Sequence, residues 1–393
     1  MNKYPSYSSF LQFWLLNPDV VFLNHGSFGA CPIPVLEAQQ HWRERMERQP
    51  LQFLGKDIEA LIDFSKSELA AFVNCDWEDL AFVANTTTGV NTILRSLKFE
   101  PGNELLTTDH EYNACRNALN YVAEREGIDV VVAEVPFPIQ SPEQVIEAVL
   151  QKVSTRTRLV LLDHVTSQTG LVFPIAELVR QLNHLGIETL IDGAHAPGMV
   201  PLNLRELGAM YYTGNCHKWL CAPKGAAFLY VQRDRQSTIR PLTVSHGANS
   251  PRSDRSRFRL EFDWMGTHDL TPHLSIPTAI QFLGSLLPNG WAALMQHNRE
   301  LAIAARTTLC EMLNVVPPCP EEMLGSLAVV PLPDGDALSL HQALLDQYNI
   351  EVPIIPWKHS AGRQIRISAQ IYNALEQYDY LATALKSLLS QGK

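Results

Sequence analysis

From about residue 80 to residue 231, short β-rich runs alternate with amphipathic helical ones, and this alternation constrains the fold more than any other feature of the 393-residue chain. "LAFV" precedes "NTTTGVNTILRSL", "ELLTT" precedes "ACRNALNYVAE", and "VVVAEV" precedes "PEQVIEAVLQKV". "LVLLDHV" leads through "PIAELVRQLNHLG" to "ETLIDGAH", and "AMYYTG" and "GAAFLYV" close the series. Apolar strands separated by amphipathic helices predict an α/β fold with a mostly parallel sheet covered on both faces. Ligands in such sheets bind at the carboxyl ends of the strands, where the loops lie. After about residue 290 the pattern changes to helix, strand, helix, strand, helix, which predicts a smaller α+β domain. The expected division is an N-terminal helical segment at 1–20, a large α/β domain at 21–288 that includes a connecting stretch, and a small C-terminal domain at 289–393.

The net charge of −10 argues against a general nucleic-acid or anionic-membrane partner, since both need a basic surface. No apolar run approaches the length of a bilayer span. "FLQFWLL" at 10–16 lacks a basic run before it and a small-residue cleavage site after it, so it reads as a helix packed on the body or on a partner. Seven cysteines at irregular spacings make no disulfide framework and fit a reducing cytoplasm. Arg252, Arg255, Arg257 and Arg259, within the connecting stretch, read as a solvated loop or subunit contact rather than an anion site.

Three motifs fall at strand ends. "NTTTG" (85–89) opens a helix, so its backbone N–H groups and the hydroxyls of Thr86 and Thr87 could face an anion; an ordinary helix cap is the alternative. "LIDGAHAPG" (190–198) ends an apolar strand with Asp192, a carboxylate that is costly to leave unpaired, and His195 follows three residues on. "TGNCHKWLCAPKG" (213–225) sets Lys218 among apolar neighbours, where a lysine loses its proton more readily and becomes a nucleophile. Lys224 reads as a solvated turn residue, Cys216 and Cys221 as packing, and Cys216, His217 and Cys221 make an incomplete ligand set, so no metal is expected. An anion cradle, a buried carboxylate and an activated lysine at the strand ends of one sheet are the set that holds pyridoxal 5′-phosphate (PLP).

These motifs, with "FLNHGSFGACP" (22–32) and "DHEYNA" (109–114), make the sequence resemble the class V aminotransferase-type PLP enzymes of fold type I. Within them it is most similar to the isopenicillin N epimerase-like branch. The resemblance implies a seven-stranded-type sheet, with Lys218 as the lysine that joins the cofactor aldehyde. It implies that Asp192 pairs with the pyridine nitrogen, that His195 hydrogen-bonds the ring oxygen, and that Tyr112 stacks on the ring. Thr86, Thr87, His217 and Asn215 would hold the phosphate, and Thr267 would reach the phosphate of a neighbouring subunit in a homodimer. Arg366 would clamp a substrate α-carboxylate, with Asn24, His25 and Ser27 lining the substrate pocket.

The small-domain stretch "YNIEVPIIPWKHSAGRQIRIS" (348–368) holds no cysteine, so a persulfide-forming desulfurase of this superfamily is not expected. Three chemistries on an amino-acid substrate share such a site: epimerase, aminotransferase, and a C–S or other β-lyase. A non-catalytic binding or regulatory protein on the same fold is the rival from a different class.

Overall fold

The computed structural model describes residues 5–357 and 362–391. A two-residue strand β1 (Val21–Phe22) is followed by seven that form the central sheet. These are β2 (Leu80–Val83), β3 (Glu104–Thr108), β4 (Asp129–Ala133), β5 (Thr157–Asp163), β6 (Glu188–Gly193), β7 (Tyr211–Asn215) and β8 (Ala227–Val231). Their spatial order is β2-β8-β7-β6-β5-β3-β4. Only β8 runs against its neighbours, so the carboxyl ends of β2, β3, β5, β6 and β7 share one edge.

The strands carry no polar face because both faces are buried. Along β5, Leu159 and Leu161 point into one apolar cluster while Val160 and Leu162 point into the other. In β8, Leu229 and Val231 face the first cluster and Phe228 and Tyr230 the second. The helices Thr86–Ser96 and Asn113–Glu126 close one side through Val90, Ile93, Leu119 and Val122. The helix Ile175–His184 closes the other through Leu178, Val179 and Leu182.

Four further strands follow: β9 (Leu327–Leu332), β10 (Ile350–Glu351), β11 (Ile354–Pro356) and β12 (Arg363–Ser368). β11, β12 and β9 make a three-stranded antiparallel sheet, and Arg366 stands on its middle strand. β10 pairs in parallel with β1, so the chain just after residue 20 is tied to the C-terminal elements, a link that the sequence pattern did not suggest. Among the described residues, the N-terminal segment forms a short 3₁₀ turn, Ser9–Phe13, in place of a helix over 10–16. Trp14 leaves it in extended conformation, donates its indole N–H to Ala30 O at 3.1 Å, and sets its ring 5.2 Å from that of Tyr372.

The arginine-rich stretch is exposed at Arg252 and Arg257, as expected of a solvated loop, but its arginines are ion-paired. Arg252 and Arg255 pair with Glu59, Arg255 and Arg259 with Asp63, and Arg257 with Glu261. Arg259 is buried and also lies 4.4 Å over the Trp77 ring. Carboxylates of the preceding helix Ile58–Val73 thus meet charges that spacing alone could not pair.

Candidate active site

Strand ends and the turns after them enclose a cavity of about 250 Å³. Thr86, Thr87 and Tyr112 line it, as do Asp192, His195 and Asn215, and His217, Lys218 and Ser27 join them. The structure therefore brings together nine of the residues singled out in the sequence.

Two glycines let the Lys218 turn sit where it does. A Cβ on Gly29, whose φ is +71°, would stand 2.1 Å from His217 O. One on Gly198, at φ +87°, would stand 2.5 Å from the Trp219 carbonyl carbon. Only glycine adopts these angles without strain and leaves room for the backbone to approach so closely. "NHGSFG" and "APG" thus press on the lysine-bearing turn from two sides.

Lys218 Nζ lies 3.1 Å from His195 Nε2. Burial pushes the Lys218 amine down to about 8, with Arg366 adding to the shift and Asp192 and Asp163 opposing it. The turn is held from behind by His25. Its Nε2 meets Lys218 O at 3.0 Å and its Nδ1 meets the Tyr372 hydroxyl at 2.8 Å. A carbonyl only accepts, so Nε2 carries the proton and Nδ1 accepts from Tyr372. His25, expected to line the pocket, instead lies buried behind the lysine and does not line the cavity.

Asn85, which also lines the cavity, caps the helix Thr86–Ser96, its Oδ1 accepting from Thr88 N at 2.8 Å. Asn215 Oδ1 accepts the Thr86 backbone N–H at 2.9 Å, so its amide oxygen shapes the cradle rather than facing a ligand. Thr86 Oγ1 is buried with no partner. His217 Nδ1 donates to Ala226 O at 3.1 Å, and burial holds its ring down to about 4.

Two carboxyls, Asp163 and Asp192, line the cavity as well. Asp192 Oδ1 accepts from Ala194 N at 2.9 Å and Oδ2 from the Cys115 thiol at 3.2 Å. Asp163 is its direct neighbour in the β5–β6 register and Glu111 lies close by; one ligand atom each of Glu111, Cys115 and Asp192 falls within 4.8 Å of the others. Burial raises all three carboxyls, Glu111 and Asp163 well above the usual range. Asp192 has a backbone donor, a thiol and the Lys218 charge to offset burial, so the negative charge of the trio settles there. Glu111, Asp163 and Cys115 were not singled out in the sequence. Asp163 carries the same signal as Asp192, a carboxylate ending an apolar strand.

Arg366 stands beside the cavity. Nη1 donates to Ser167 O and Nη2 to Ser27 Oγ at 3.0 Å, while the buried Nε has no partner. Ser27 Oγ donates in turn to Asn24 Oδ1 at 2.5 Å, so Asn24 supports Arg366 through Ser27. Thr267 is exposed and lines a different, larger cavity of about 600 Å³ that Lys218 does not line. Lys224 is exposed as expected, yet its Nζ is tethered to Gly29 O at 2.8 Å. Cys216 and Cys221 are fully buried in the packing.

The aminotransferase class V family model matches residues 22–381. The chain belongs to that family. It is therefore an enzyme chain of the PLP-using kind. It is 35% identical over 388 residues to the isopenicillin N epimerase of Amycolatopsis lactamdurans, covering 95% of this chain and 96% of that one. It is 29% identical over 404 residues to a probable chloroplastic L-cysteine desulfhydrase of Arabidopsis thaliana, covering 96% of this chain and 84% of that one. Among solved structures, the apo cysteine desulfurase of Thermococcus onnurineus NA1 superposes with a TM-score of 0.82 at 18% identity, covering 100% of each chain. A cystine C–S lyase in complex with cysteine persulfide does so at 0.79 and 22%, covering 93% of this chain and 97% of that one. Likeness at these identities shows the fold, which is fold type I.

Proposed function

We propose that this enzyme acts at Cα of an amino acid, with epimerase or aminotransferase chemistry, and that Lys218 is both the attachment point for PLP and the base that moves the Cα proton. The observation that carries the reading is the pairing of an amine near neutrality, Lys218, with an arginine, Arg366, whose Nε is buried and unpartnered. The residues present fit the cofactor. Thr86 Oγ1 is an orphaned hydroxyl at a helix N-terminus, suited to a phosphate. Asp192 is the carboxyl of the trio best placed to ionise, and so to hold a proton on a ring nitrogen. Bound PLP supplies an electron sink for the pair released when a bond at Cα breaks.

The chain's own side chains do the rest. Arg366, braced by Ser27 and Ser167, receives the α-carboxylate and fixes which Cα bond is aligned for cleavage. Lys218 takes up the Cα proton as a free amine, a form that burial brings within reach by lowering the amine to about 8. Thr86, Thr87 and His217 hold the phosphate end, and Tyr112, 45% exposed at the rim, covers the ring. The working unit is a homodimer in which Thr267 serves the neighbouring cavity; its exposure, and its absence from the lining of its own chain's Lys218 cavity, support this.

A second reading, a β-lyase on cysteine, cystine or a sulfoxide, is favoured by the desulfhydrase relatives. The missing cysteine before Arg366 would leave such a lyase without a protein persulfide. Incubating the holoenzyme with a panel of L-amino acids, including cystine and sulfoxides, in deuterated water separates the outcomes. Deuterium at Cα with inversion marks an epimerase, a keto acid an aminotransferase, and pyruvate with ammonia a lyase. Failure of every α-amino acid to exchange its Cα proton would overturn the reading.

A further inference from the structure

We infer that Trp219 is a positioning residue whose indole N–H fixes the proton of His195 on Nε2, so that His195 donates to Lys218 and holds it as the free amine. The inference rests on the reading of Lys218 as the amine that captures PLP, and adds how the next residue along prepares it.

The indole nitrogen can only donate. Trp219 Nε1 lies 3.3 Å from His195 Nδ1, so Nδ1 presents its lone pair. A neutral imidazole with a lone pair on Nδ1 carries its proton on Nε2. That nitrogen lies 3.1 Å from Lys218 Nζ. An N–H aimed at Nζ is accepted by the lone pair of an amine and opposed by an ammonium, which has only donors. Donation therefore runs from Trp219 to His195 to Lys218.

His195 has no route to a second proton. Burial, with the Arg366 guanidinium adding to it, keeps its ring well below its ordinary value. Trp219 and His195 are each 1% exposed, so water does not replace either bond. The indole is itself held: its ring lies 4.9 Å from that of His25, and the glycine at 198 admits its backbone. In the alternative tautomer Nε2 would accept from a lysine ammonium, favouring the charged, unreactive form. The identity of the residue after the lysine thus sets the state of the lysine itself.

The test uses the full-length, cofactor-free protein with ¹⁵N-labelled histidine. In the parent, Nδ1 of His195 should give the signal of an unprotonated ring nitrogen and Nε2 that of a protonated one. In Trp219→Phe the two tautomers should exchange, and the signals converge. Capture of PLP, followed by absorbance, should slow about tenfold at pH 7, with the midpoint of its pH profile moved up by about one unit. Because Trp219→Phe also disturbs packing, the same change is made in His195→Leu, where no imidazole remains to be oriented. There it should alter the capture rate less than twofold. Unchanged His195 signals in Trp219→Phe, or equal slowing in both backgrounds, would overturn the inference. Capture of PLP by Lys218→Ala at the parent rate would instead sink the reading of Lys218, and the nitrogen signals would still report on Trp219.

Discussion

Arg366→Met separates the protein's stability from its use of a carboxylate. The guanidinium is buried, it donates to Ser167 O and Ser27 Oγ, and Nε has no partner. Burial lowers its pKa to about 10, a sign that the charge is poorly compensated in the cofactor-free protein. A substrate α-carboxylate would supply the missing counter-charge. Truncating one partner of a buried charge pair costs about 2–5 kcal/mol, which corresponds to roughly 30-fold to a few thousand-fold in kcat/KM. The same change removes an uncompensated buried charge, so the melting temperature of the cofactor-free variant should be no lower than the parent's. The assay compares kcat/KM for the best α-amino acid with that for its decarboxylated amine, in parent and variant. The loss should appear with the amino acid and be nearly absent with the amine. A loss under threefold with the amino acid, or an equal loss with both, would refute the carboxylate role.

Two further outcomes follow from Thr86 and Glu111, each of which has one buried oxygen without a partner. Thr86→Val should weaken PLP binding by about 1–3 kcal/mol, or roughly fivefold to 150-fold, in an absorbance titration. The cofactor-free variant should melt no lower than the parent, because the hydroxyl it loses had no partner. Glu111→Gln tests the carboxyl trio through pH. The Glu111 pKa is raised in the folded state, so the native protein holds a proton there that the unfolded chain has released above about pH 4.5, and stability falls as pH rises past that value. Thermal melts of the cofactor-free protein should therefore show Glu111→Gln to be the more stable at pH 7 to 8, with the advantage gone by about pH 4. A constant difference across that range would show that Glu111 is not held protonated.

Much of the architecture was legible because buried strands and half-buried helices write different periods into a sequence. The strands that run in one direction, with the helices between them, were readable from runs such as "LVLLD" and "ETLID". Gathering the candidate residues was also possible, because carboxyl strand ends in one sheet face one edge. What stayed hidden was direction. "NHGSFG" placed His25 near the site, but only the fold shows its imidazole bonded to the far side of the lysine backbone. Asp163 ends its strand as Asp192 does, yet the partners that separate them, Ala194 N–H and the Cys115 thiol, come from different elements. The arginines at 252, 255 and 259 looked solvated because Glu59 and Asp63, which pair with them, lie nearly two hundred residues earlier in the chain. The two glycines could be read as turn residues, whereas their need is set by the approach of the lysine turn against them.

The central claim is that Lys218, prepared as a free amine in this cavity, is the residue that holds PLP. The most direct measurement is borohydride reduction of the PLP-loaded protein, followed by proteolysis and mass spectrometry of the labelled peptide. The phosphopyridoxyl mass should appear on the peptide carrying Lys218, with no label in Lys218→Ala. Label on Lys224 or another lysine, or undiminished label in Lys218→Ala, would contradict it.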